Sequence, residues 1–536
     1  MNPTSTVLPE VDVAAAGLVP PVVASLLAGR DGDLLGPLAW RGGGPDGWLP
    51  PLPSVERRAV ARALAQSNAS YGHPRAEELA RKLADPATRV VVTGQQPGLF
   101  CGPLYTLSKA IAAAKWAEAI EARGEPAVAV FWMATEDHDF AEVAQATLIG
   151  PQGPLRVTLG EDPSPLMPLG MRTLGAGVET ALAELRATFD SGPWPEWLAT
   201  VARWYRPEAR FGEAFARLLV HLLGARCPLL LDAMLPAAKT AEAPWLERLL
   251  ERRAAVAAGL DAADRRLRER GYEPQVERQP EASQLFVLQG EARRRVLWSG
   301  DGYALRGVAG ERPLAELEAR IAQNPGAVSP GALARPAVQD AILGSSVFIV
   351  GPGELAYMAQ AGAVYTALEV APPLVALRPL SLVLEGHQPE HLASWGGSLR
   401  ELLAAGADLD RLVSRGSGAA LASPARQRIG EALAALREPA LALDSSLERP
   451  FEKTRETVER ALDAFAQKLE AAAARRDETA RARLQRLHAA LRPAGGFQER
   501  VVSSIHYPGK YGAAFVERFA ATLDLDARRL QIVTLE

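Results

Sequence analysis

Residues 89–142, RVVVTGQQPGLFCGPLYTLSKAIAAAKWAEAIEARGEPAVAVFWMATEDHDFAE, contain two short apolar runs separated by one long alanine-rich segment. The runs at residues 90–92 and 128–133 are short and rich in β-branched or aromatic side chains, which predicts strands. The segment at residues 104–122 has a proline at its start and a glycine just beyond its end, the usual punctuation of a helix. The stretch therefore predicts a βαβ unit whose two strands are parallel and joined by a right-handed crossover.

Each predicted strand of this unit ends in a cluster of polar residues. The clusters are Thr93, Gly94, Gln95 and Gln96 after the first strand, and Glu136, Asp137, His138 and Asp139 after the second. Parallel strands present their carboxyl ends at one edge of the sheet, where ligands bind in such folds. The sequence therefore predicts one cleft that both clusters face.

The composition is that of an ordinary globular protein. The chain has 536 residues, 48% of them hydrophobic and 23% charged, which predicts two or three domains. The net charge of −4 argues against a general nucleic-acid-binding protein, so we expect no nucleic-acid partner. The sequence has two cysteines, no apolar run long enough to cross a membrane and no signal-peptide pattern at its start. We therefore expect a cytoplasmic protein without a membrane partner.

A second βαβ unit is predicted within residues 329–384. The run at residues 347–350 predicts a buried strand, a Gly-Pro-Gly-Glu turn leads into a helix, and residues 374–377 predict another strand. Residues 229–231 predict one more buried parallel strand, with Asp232 at its end. Two such halves predict an α/β fold with a Rossmann-like, doubly wound core.

The remaining segments predict an inserted subdomain and a helical arm. The insertion includes a charged helix at residues 245–270, entered through a proline, and the arm ends in a helix at residues 451–491 that lacks proline and glycine. Breaks in the arm are expected near residues 414–418 and 439–450. The predicted first half of the core is 1–146 and the second half is 331–386. Between them, 147–330 is the connective insertion, with helices and a strand near 211–233 that return to the core. A coiled-coil domain follows over 387–495, and a C-terminal segment, 496–536, packs back on the core.

The loop at residues 93–103 matches neither the P-loop nor the dinucleotide-binding spacing. It offers small residues, two amide side chains and a helix N-terminus, a combination that favours an anionic group such as phosphate or carboxylate. A tight turn would explain its glycines but not its glutamines. Tyr105 and Lys109 lie four residues apart on one helix face and can both reach the cleft, although Lys109 could instead be an ordinary solvent-facing charge.

The acidic cluster around His138 is the most unusual run in the sequence. Three carboxylates beside an imidazole would raise the pKa of His138, suit it for proton transfer or hold a divalent ion. Alternatively, Asp137 caps a helix and His138 only packs. We favour a functional role because the cluster adjoins the glutamine loop across one crossover, and we assign no metal ligands.

In the second half, Arg335, Gln339, Asp340, Glu354 and Tyr357 are candidates to complete the site. Glu354 stands at the start of a predicted helix, where a carboxylate is also a common cap. Cap and ligand are therefore equally good interpretations of Glu354.

Several linked motifs resemble the BshC family, the cysteine ligases (bacillithiol synthases) of low-molecular-weight thiol biosynthesis. These are TGQQPGLFCGPLYTLSKA, VFWMATEDHDFAEV, RPAVQDAIL, VGPGELAYMAQ and QERVVSSIHYPGKYG. The resemblance implies a core similar to class I aminoacyl-tRNA synthetases with connective-peptide insertions, and a coiled-coil arm that forms a homodimer. It also implies addition of L-cysteine to the amine of glucosaminyl malate, which gives bacillithiol.

The resemblance also extends to individual residues. The matching motif positions are Thr93, Gly94, Gln95, Gln96, Gly98, Gly102, Tyr105, Glu136, Asp137, His138, Asp139, Arg335, Gln339, Asp340, Gly351, Gly353, Glu354 and Tyr357. We expect the four residues of the acidic cluster to be catalytic, and the others, together with Lys109, to bind substrate or nucleotide.

Amide formation needs an activated carboxylate, so ATP is the expected co-substrate and Mg²⁺ a candidate companion. No KMSKS-like loop is present, and the choice between an adenylate and an acyl phosphate stays open. Two alternatives remain. One is a nucleotidyltransferase-like ligase acting on another small metabolite, and the other is a non-enzymatic coiled-coil scaffold.

Overall fold

The computed structural model describes residues 10–45, 47–395, 397–404, 406, 408–414, 418–476 and 478–535. The chain forms two compact units. The larger contains Asp12–Val383 and Gly496–Val533, and the smaller is built mainly from Leu384–Gly495. No helix within the described ranges is both long and apolar enough to cross a membrane.

The strands are β1 (Trp40–Arg41), β2 (Arg89–Gln95), β3 (Ala127–Met133), β4 (Gln145–Gly150), β5 (Gly153–Thr158), β6 (Leu229–Asp232), β7 (Ala282–Gln289), β8 (Ala292–Ser299), β9 (Gly302–Leu305), β10 (Glu311–Pro313), β11 (Val328–Pro330), β12 (Ser345–Val350), β13 (Leu374–Leu377), β14 (Ser381–Glu385) and β15 (Gln531–Leu535).

The helices of the larger unit before residue 384 are α1 (Pro21–Leu27), α2 (Arg58–Ser70), α3 (Ala76–Ala84), α4 (Tyr105–Glu121), α5 (Phe140–Val143), α6 (Gly177–Thr188), α7 (Trp194–Ala202), α8 (Phe211–Leu223), α9 (Pro236–Glu251), α10 (Arg253–Glu269), α11 (Leu314–Gln323), α12 (Arg335–Leu343) and α13 (Pro352–Leu368). The later helices are α14 (Gln388–Trp395), α15 (Leu399–Leu403), α16 (Leu409–Ser414), α17 (Gly418–Leu443), α18 (Glu448–Arg476), α19 (Glu478–Leu491), α20 (Gln498–Val501), α21 (His506–Tyr511) and α22 (Ala513–Thr522).

A parallel six-stranded sheet with the order β1-β13-β12-β2-β3-β6 forms the centre of the larger unit. Its inner strands are almost entirely buried and mainly apolar, as expected for a parallel sheet with helices on both faces. Val90 and Val92 join one hydrophobic cluster with α13, whereas Val91 joins the other with α4. Both predicted βαβ units are confirmed, as is the strand that ends at Asp232, which pairs with β3.

Two smaller sheets lie within residues 145–330. Strands β4 and β5 form an antiparallel hairpin, and β10-β9-β8-β7-β11 form a second antiparallel sheet. The predicted start of a helix at Pro244 is wrong, because Pro244 lies inside α9, which begins at Pro236. Proline is also favoured in the first turn of a helix, and Pro236 takes that role here.

The smaller unit is helical. Helices α17 and α18 run antiparallel, since Arg426 pairs with Asp463 far from their connection and Arg437 pairs with Glu448 beside it. The helix predicted over residues 451–491 corresponds to α18 and α19, which lie on either side of residue 477, itself outside the described residues. The break predicted near residues 414–418 falls largely on residues 415–417, which lie outside the described residues.

Candidate active site

A cleft of about 370 Å³ lies at the carboxyl ends of the central strands. It is lined from both halves of the core. The lining residues are Gly94, Gln95, Gln96, Tyr105, Lys109, Trp132, Ala134, Asp137, Glu142, Gln275, Val276, Ala332, Arg335, Gly351, Pro352, Gly353, Glu354, Tyr357, Arg378 and Arg500. The two polar clusters predicted to share a cleft meet here, because Gln96 Nε2 donates to Asp137 Oδ2 at 2.6 Å.

Lys109 links the two halves of the cleft wall. Its ammonium group donates to the carbonyl oxygen of Gly94 at 2.6 Å and to Gln95 Oε1 at 3.0 Å, and it pairs with Glu354 Oε2 at 2.5 Å. Only 2% of Lys109 is exposed, and this desolvation lowers its pKa. The alternative of a solvent-facing lysine is therefore wrong.

Glu354 is a helix cap, as one of the two interpretations predicted, and it also lies in the cleft wall, whereas its role as a ligand stays a prediction. Its Oε2 atom accepts the backbone N–H of Gly351 at 2.7 Å, which caps α13, and the same carboxylate lines the cleft beside Lys109. A cap and a cleft residue coincide because α13 begins at the cleft edge. Across the cleft, Gln95 Nε2 donates to the hydroxyl of Tyr105 at 3.1 Å, and burial raises the pKa of Tyr105 to about 12.

Arg335 presents a positive charge to the cleft without a carboxylate partner among the described residues. It donates to Gln339 Oε1 at 3.0 Å and to the hydroxyl of Tyr357 at 3.1 Å. Burial raises the pKa of Tyr357 to about 12, so this phenol stays neutral. The positive charge of Arg335 is therefore available to an anionic ligand.

Gln339 and Asp340 lie behind Arg335, outside the cleft lining, which corrects their predicted role in ligand contact. Gln339 donates to Asp340 Oδ1 at 3.2 Å, and Tyr365 donates to Asp340 Oδ2 at 2.5 Å. Burial raises the pKa of Asp340 to about 6. Both are almost fully buried because α12 is buried from Pro336 to Leu343. Gln339 bonds Arg335 directly, and Asp340 in turn accepts from Gln339.

Three other predicted ligand residues also lie outside this cleft. The hydroxyl of Thr93 donates to the carbonyl oxygen of Ile349 at 2.9 Å, so it ties β2 to β12. Gly98 and Gly102 line a neighbouring cavity instead. A Cβ atom on Gly98 would lie 2.8 Å from Gly102 Cα, so this glycine is required by close packing within the loop.

Within the acidic cluster, only Asp137 lines the cleft. Glu136 is buried and pairs with Lys239 at 2.7 Å, and Lys239 also pairs with Glu242 at 2.8 Å. Asp139 is exposed and accepts the backbone N–H of Glu142 at 3.1 Å, which caps α5. The helix cap proposed as an alternative is thus Asp139 rather than Asp137.

His138 has the opposite electrostatic environment to the one predicted. Its Nδ1 atom lies 3.2 Å from Arg293 Nη1, and burial together with this guanidinium lowers the pKa of His138 despite nearby Asp137 and Asp139. A guanidinium can only donate, so Nδ1 is the acceptor and the neutral ring carries its proton on Nε2. The predicted raised pKa is wrong because Arg293 arrives from β8, far away in sequence.

Sequence reasoning missed two arginines of the cleft. Arg378 follows β13 and forms a bidentate pair with Glu499, at 3.0 and 2.7 Å, while Arg500 lies exposed at the next position of the tail. A signal for Arg378 existed, since it follows the carboxyl end of a predicted strand. Arg500 and Glu499 belong to the motif QERVVSSIHYPGKYG, which offered no chemical signal of its own.

Comparison with known proteins places this geometry in a family. Two sequence models match, described as "Bacillithiol biosynthesis BshC, N-terminal Rossmann-like domain" over residues 52–379 and "Bacillithiol biosynthesis BshC, C-terminal coiled-coil domain" over residues 381–535. The chain belongs to the BshC family. The two matches agree with the parallel sheet of the larger unit and the long helices of the smaller unit.

BshC relatives from several bacteria match most of the chain. A protein from Salinibacter ruber is 31% identical over 489 residues, which is 89% of each chain. A protein from Solibacter usitatus is 32% identical over 90% of this chain and 88% of its own, and one from Thermus thermophilus is 33% identical over 82% and 87%. All three carry the name "Putative cysteine ligase BshC".

Proposed function

We propose that this protein is a ligase that joins the carboxyl group of L-cysteine to the amine of glucosaminyl malate, giving bacillithiol at the expense of ATP. The main observation that supports an anionic substrate is the positive charge of the cleft lining. The cleft of this BshC-family chain is lined by Lys109, Arg335, Arg378 and Arg500, and Arg335 has no carboxylate partner in the described part of the chain. Malate carries two carboxylates, which such guanidinium groups bind well.

The reaction needs an activated carboxyl group. ATP would convert the cysteine carboxylate to an adenylate with release of pyrophosphate, or to an acyl phosphate with release of ADP. The amine then forms the C–N bond, the C–O bond to AMP or phosphate breaks, and the ammonium-derived protons pass to a base. Among the described residues no group of three or more His, Cys, Asp or Glu side chains is arranged to hold a metal, so Mg²⁺ would be bound chiefly through the phosphates of ATP.

We assign the malate carboxylates to Arg335 and the sugar amine to Asp137. Asp137 is the only carboxylate of the acidic cluster on the cleft wall, and Gln96 holds its Oδ2 atom. His138 is a positioning residue beside Asp137, because its backbone N–H donates to Asp137 Oδ1 at 2.7 Å. Gln95 and the N-terminal end of α4 complete the anion-binding side of the cleft.

The decisive experiment incubates the purified full-length protein with L-cysteine, glucosaminyl malate and ATP, and follows the thiol product by mass spectrometry. Product should depend on all three substrates. Asp137→Asn should lower kcat by about 100-fold or more, as expected for loss of a proton-transfer group, whereas Glu179→Gln on the exposed surface of α6 should retain wild-type turnover. ATP consumption that yields a different product would favour the alternative, a ligase acting on another metabolite.

We also propose that the protein forms a homodimer through α17 and α18. Four of the five large hydrophobic side chains that are exposed in the described part of the chain, Leu436, Leu443, Leu447 and Phe465, lie on these helices or their connection. Apolar groups concentrated in this way mark interaction surfaces. Light scattering should give a dimer for the wild type and a monomer for the double variant Leu443→Asp and Phe465→Asp. The matched variant of the fifth exposed residue, Trp48→Asp, should remain dimeric.

A further inference from the structure

A second cavity of about 300 Å³ adjoins the cleft. Five residues line both spaces and form the wall between them, namely Gln95, Gln96, Tyr105, Glu142 and Arg500. A volume of this size suits one small ligand. The cavity is therefore a separate compartment that opens at the same polar wall as the cleft.

The two compartments differ in charge. The cleft has four cationic side chains and three carboxylates, whereas the second cavity has one of each, Arg500 and Glu142. The rest of its lining is uncharged and includes Val143, Ala146 and Ser503. One cation and one anion in an otherwise neutral wall complement a zwitterion, while the cleft suits an anion.

The guanidinium group of Arg500 is available to a ligand, because no polar contact among the described residues uses it. Its side chain makes no ion pair or hydrogen bond with any residue that the structure describes. Glu142 belongs to the same wall, accepts a hydrogen bond from Gln96 and lies near the carboxylate of Asp139. A ligand with both an ammonium and a carboxylate group would satisfy both residues.

The loop that contributes Gly98 and Gly102 to the lining of the cavity is held in place by its surroundings. Phe100 and Cys101 have left-handed backbone conformations, with φ of 51° and 66°, and both are fully buried. Such conformations persist only when their surroundings fix them. Here Tyr205 accepts the backbone N–H of Cys101 at 3.1 Å, and the hydroxyl of Ser504 donates to the carbonyl oxygen of Cys101 at 3.3 Å.

We propose that the second cavity is the binding site for a free α-amino acid, whose carboxylate pairs with Arg500 and whose ammonium group pairs with Glu142. Under the proposed function, on which this assignment of the ligand rests, the amino acid is L-cysteine. Because both charged residues also line the cleft, the carboxylate lies at the shared wall and faces the acceptor amine. The side chain extends into the neutral part of the cavity, beside Val143 and Ala146.

Calorimetric titration of the full-length protein tests this site. The ligands are L-cysteine, cysteamine, which lacks the carboxylate, and 3-mercaptopropionate, which lacks the ammonium group. The wild type should bind cysteine at least about tenfold more tightly than either analogue, because each lost charged hydrogen bond reduces affinity by that factor or more. Arg500→Gln should abolish the preference over cysteamine, and Glu142→Gln the preference over 3-mercaptopropionate.

Surface variants provide matched controls. Arg265→Gln on α10 and Glu179→Gln on α6 replace exposed residues away from both cavities and should bind cysteine like the wild type. In turnover, Arg500→Gln should raise KM for cysteine by about tenfold or more, with a smaller change in KM for the acceptor. Arg335→Gln should show the reverse pattern.

The site and the proposed function can fail separately. Absence of cysteine binding by the wild type, equal binding of the three ligands, or an Arg500→Gln variant whose KM changes only for the acceptor would overturn the amino-acid site. If cysteine binds with the expected preferences but no thiol product forms with glucosaminyl malate and ATP, the site stands and the proposed function fails.

Discussion

The buried group of Glu136, Lys239 and Glu242 predicts a pH-dependent contribution to stability. Two carboxylates share one ammonium group at 2.7 and 2.8 Å, and at most 5% of each side chain is exposed. One oxygen of each carboxylate is buried without a hydrogen-bond partner in the described part of the chain. Burial raises the pKa of Glu242 to about 7. The negative charge of Glu136 adds to this rise, whereas the positive charges of Lys239 and Arg293 oppose it.

The sign of the effect follows from the two states of Glu242. Its unfolded pKa is 4.5, so above that pH the unfolded chain has lost a proton that the folded chain still holds. Retention of this proton stabilises the folded state. The stabilisation is fully present below pH 4.5 and is lost as the pH rises to about 7. The folded and unfolded pKa values differ by about 2.5. At about 1.4 kcal/mol per pKa unit, this difference corresponds to at most about 3 kcal/mol in free energy of unfolding.

The perturbation is Glu242→Gln, which keeps the shape of the side chain and removes its titration. Relative to the wild type, the variant should gain up to about 3 kcal/mol in free energy of unfolding between about pH 5 and about pH 8. Urea unfolding followed by tryptophan fluorescence measures this difference. Glu251→Gln, an exposed residue of the same helix, should show none.

A second variant of the same group has the opposite effect. Lys239→Met leaves two buried carboxylates without their cation, which should cost about 3–5 kcal/mol near pH 8 and less near pH 5, where protonation removes a charge. The reasoning is refuted if the difference between Glu242→Gln and the wild type does not vary with pH. The infrared spectrum of the wild type should contain a protonated-carboxyl band that is missing from Glu242→Gln. Absence of this band from the wild type would contradict the raised pKa of Glu242 directly.

The remaining predictions concern the cleft wall and His138. A Cβ atom on Gly94 would lie 2.7 Å from the carbonyl oxygen of Trp132, so Gly94→Ala should lower the free energy of unfolding by about 1–3 kcal/mol in urea titrations, whereas Gly353→Ala, whose Cβ meets no atom within 4 Å, should not. Arg293→Met should raise the pKa of His138, measured by NMR of its ring protons, since it removes a neighbouring positive charge. An unchanged midpoint would show that Arg293 does not control the imidazole.

The fold could be predicted where local patterns decide it. The apolar runs of β2, β3 and β12 and the helix signals between them fixed two βαβ units, and strand polarity then placed Gln96 near Asp137. The helix of Pro244 was misjudged because a proline can occupy a helix interior when the start signal lies earlier, at Pro236.

The electrostatics of the site could not be predicted in the same way. The pKa of His138 depends on Arg293, and the position of Arg378 depends on Glu499; these pairs are separated by 155 and 121 residues. Local sequence reports the carboxylates beside His138 but not the guanidinium that folding brings to it. Burial likewise decided that Glu136 faces Lys239 rather than the cleft.

The hydrogen bonds between residues 100–104 and the tail impose an order on biosynthesis. The backbone N–H of Leu104 donates to the carbonyl oxygen of Val502 at 2.7 Å, and the hydroxyls of Ser503 and Ser504 donate to backbone carbonyls that precede them by 403 residues. Strands β2 and β3 leave the ribosome early, yet these hydrogen bonds of the loop cannot form until residues 502–504 are synthesised. Chains arrested before that point would bury the sheet but lack the finished loop that contributes Gly98, Gly102 and Pro103 to the second cavity. Completion of this loop is thus a late event, set by hydrogen bonds between residues that lie 403 positions apart.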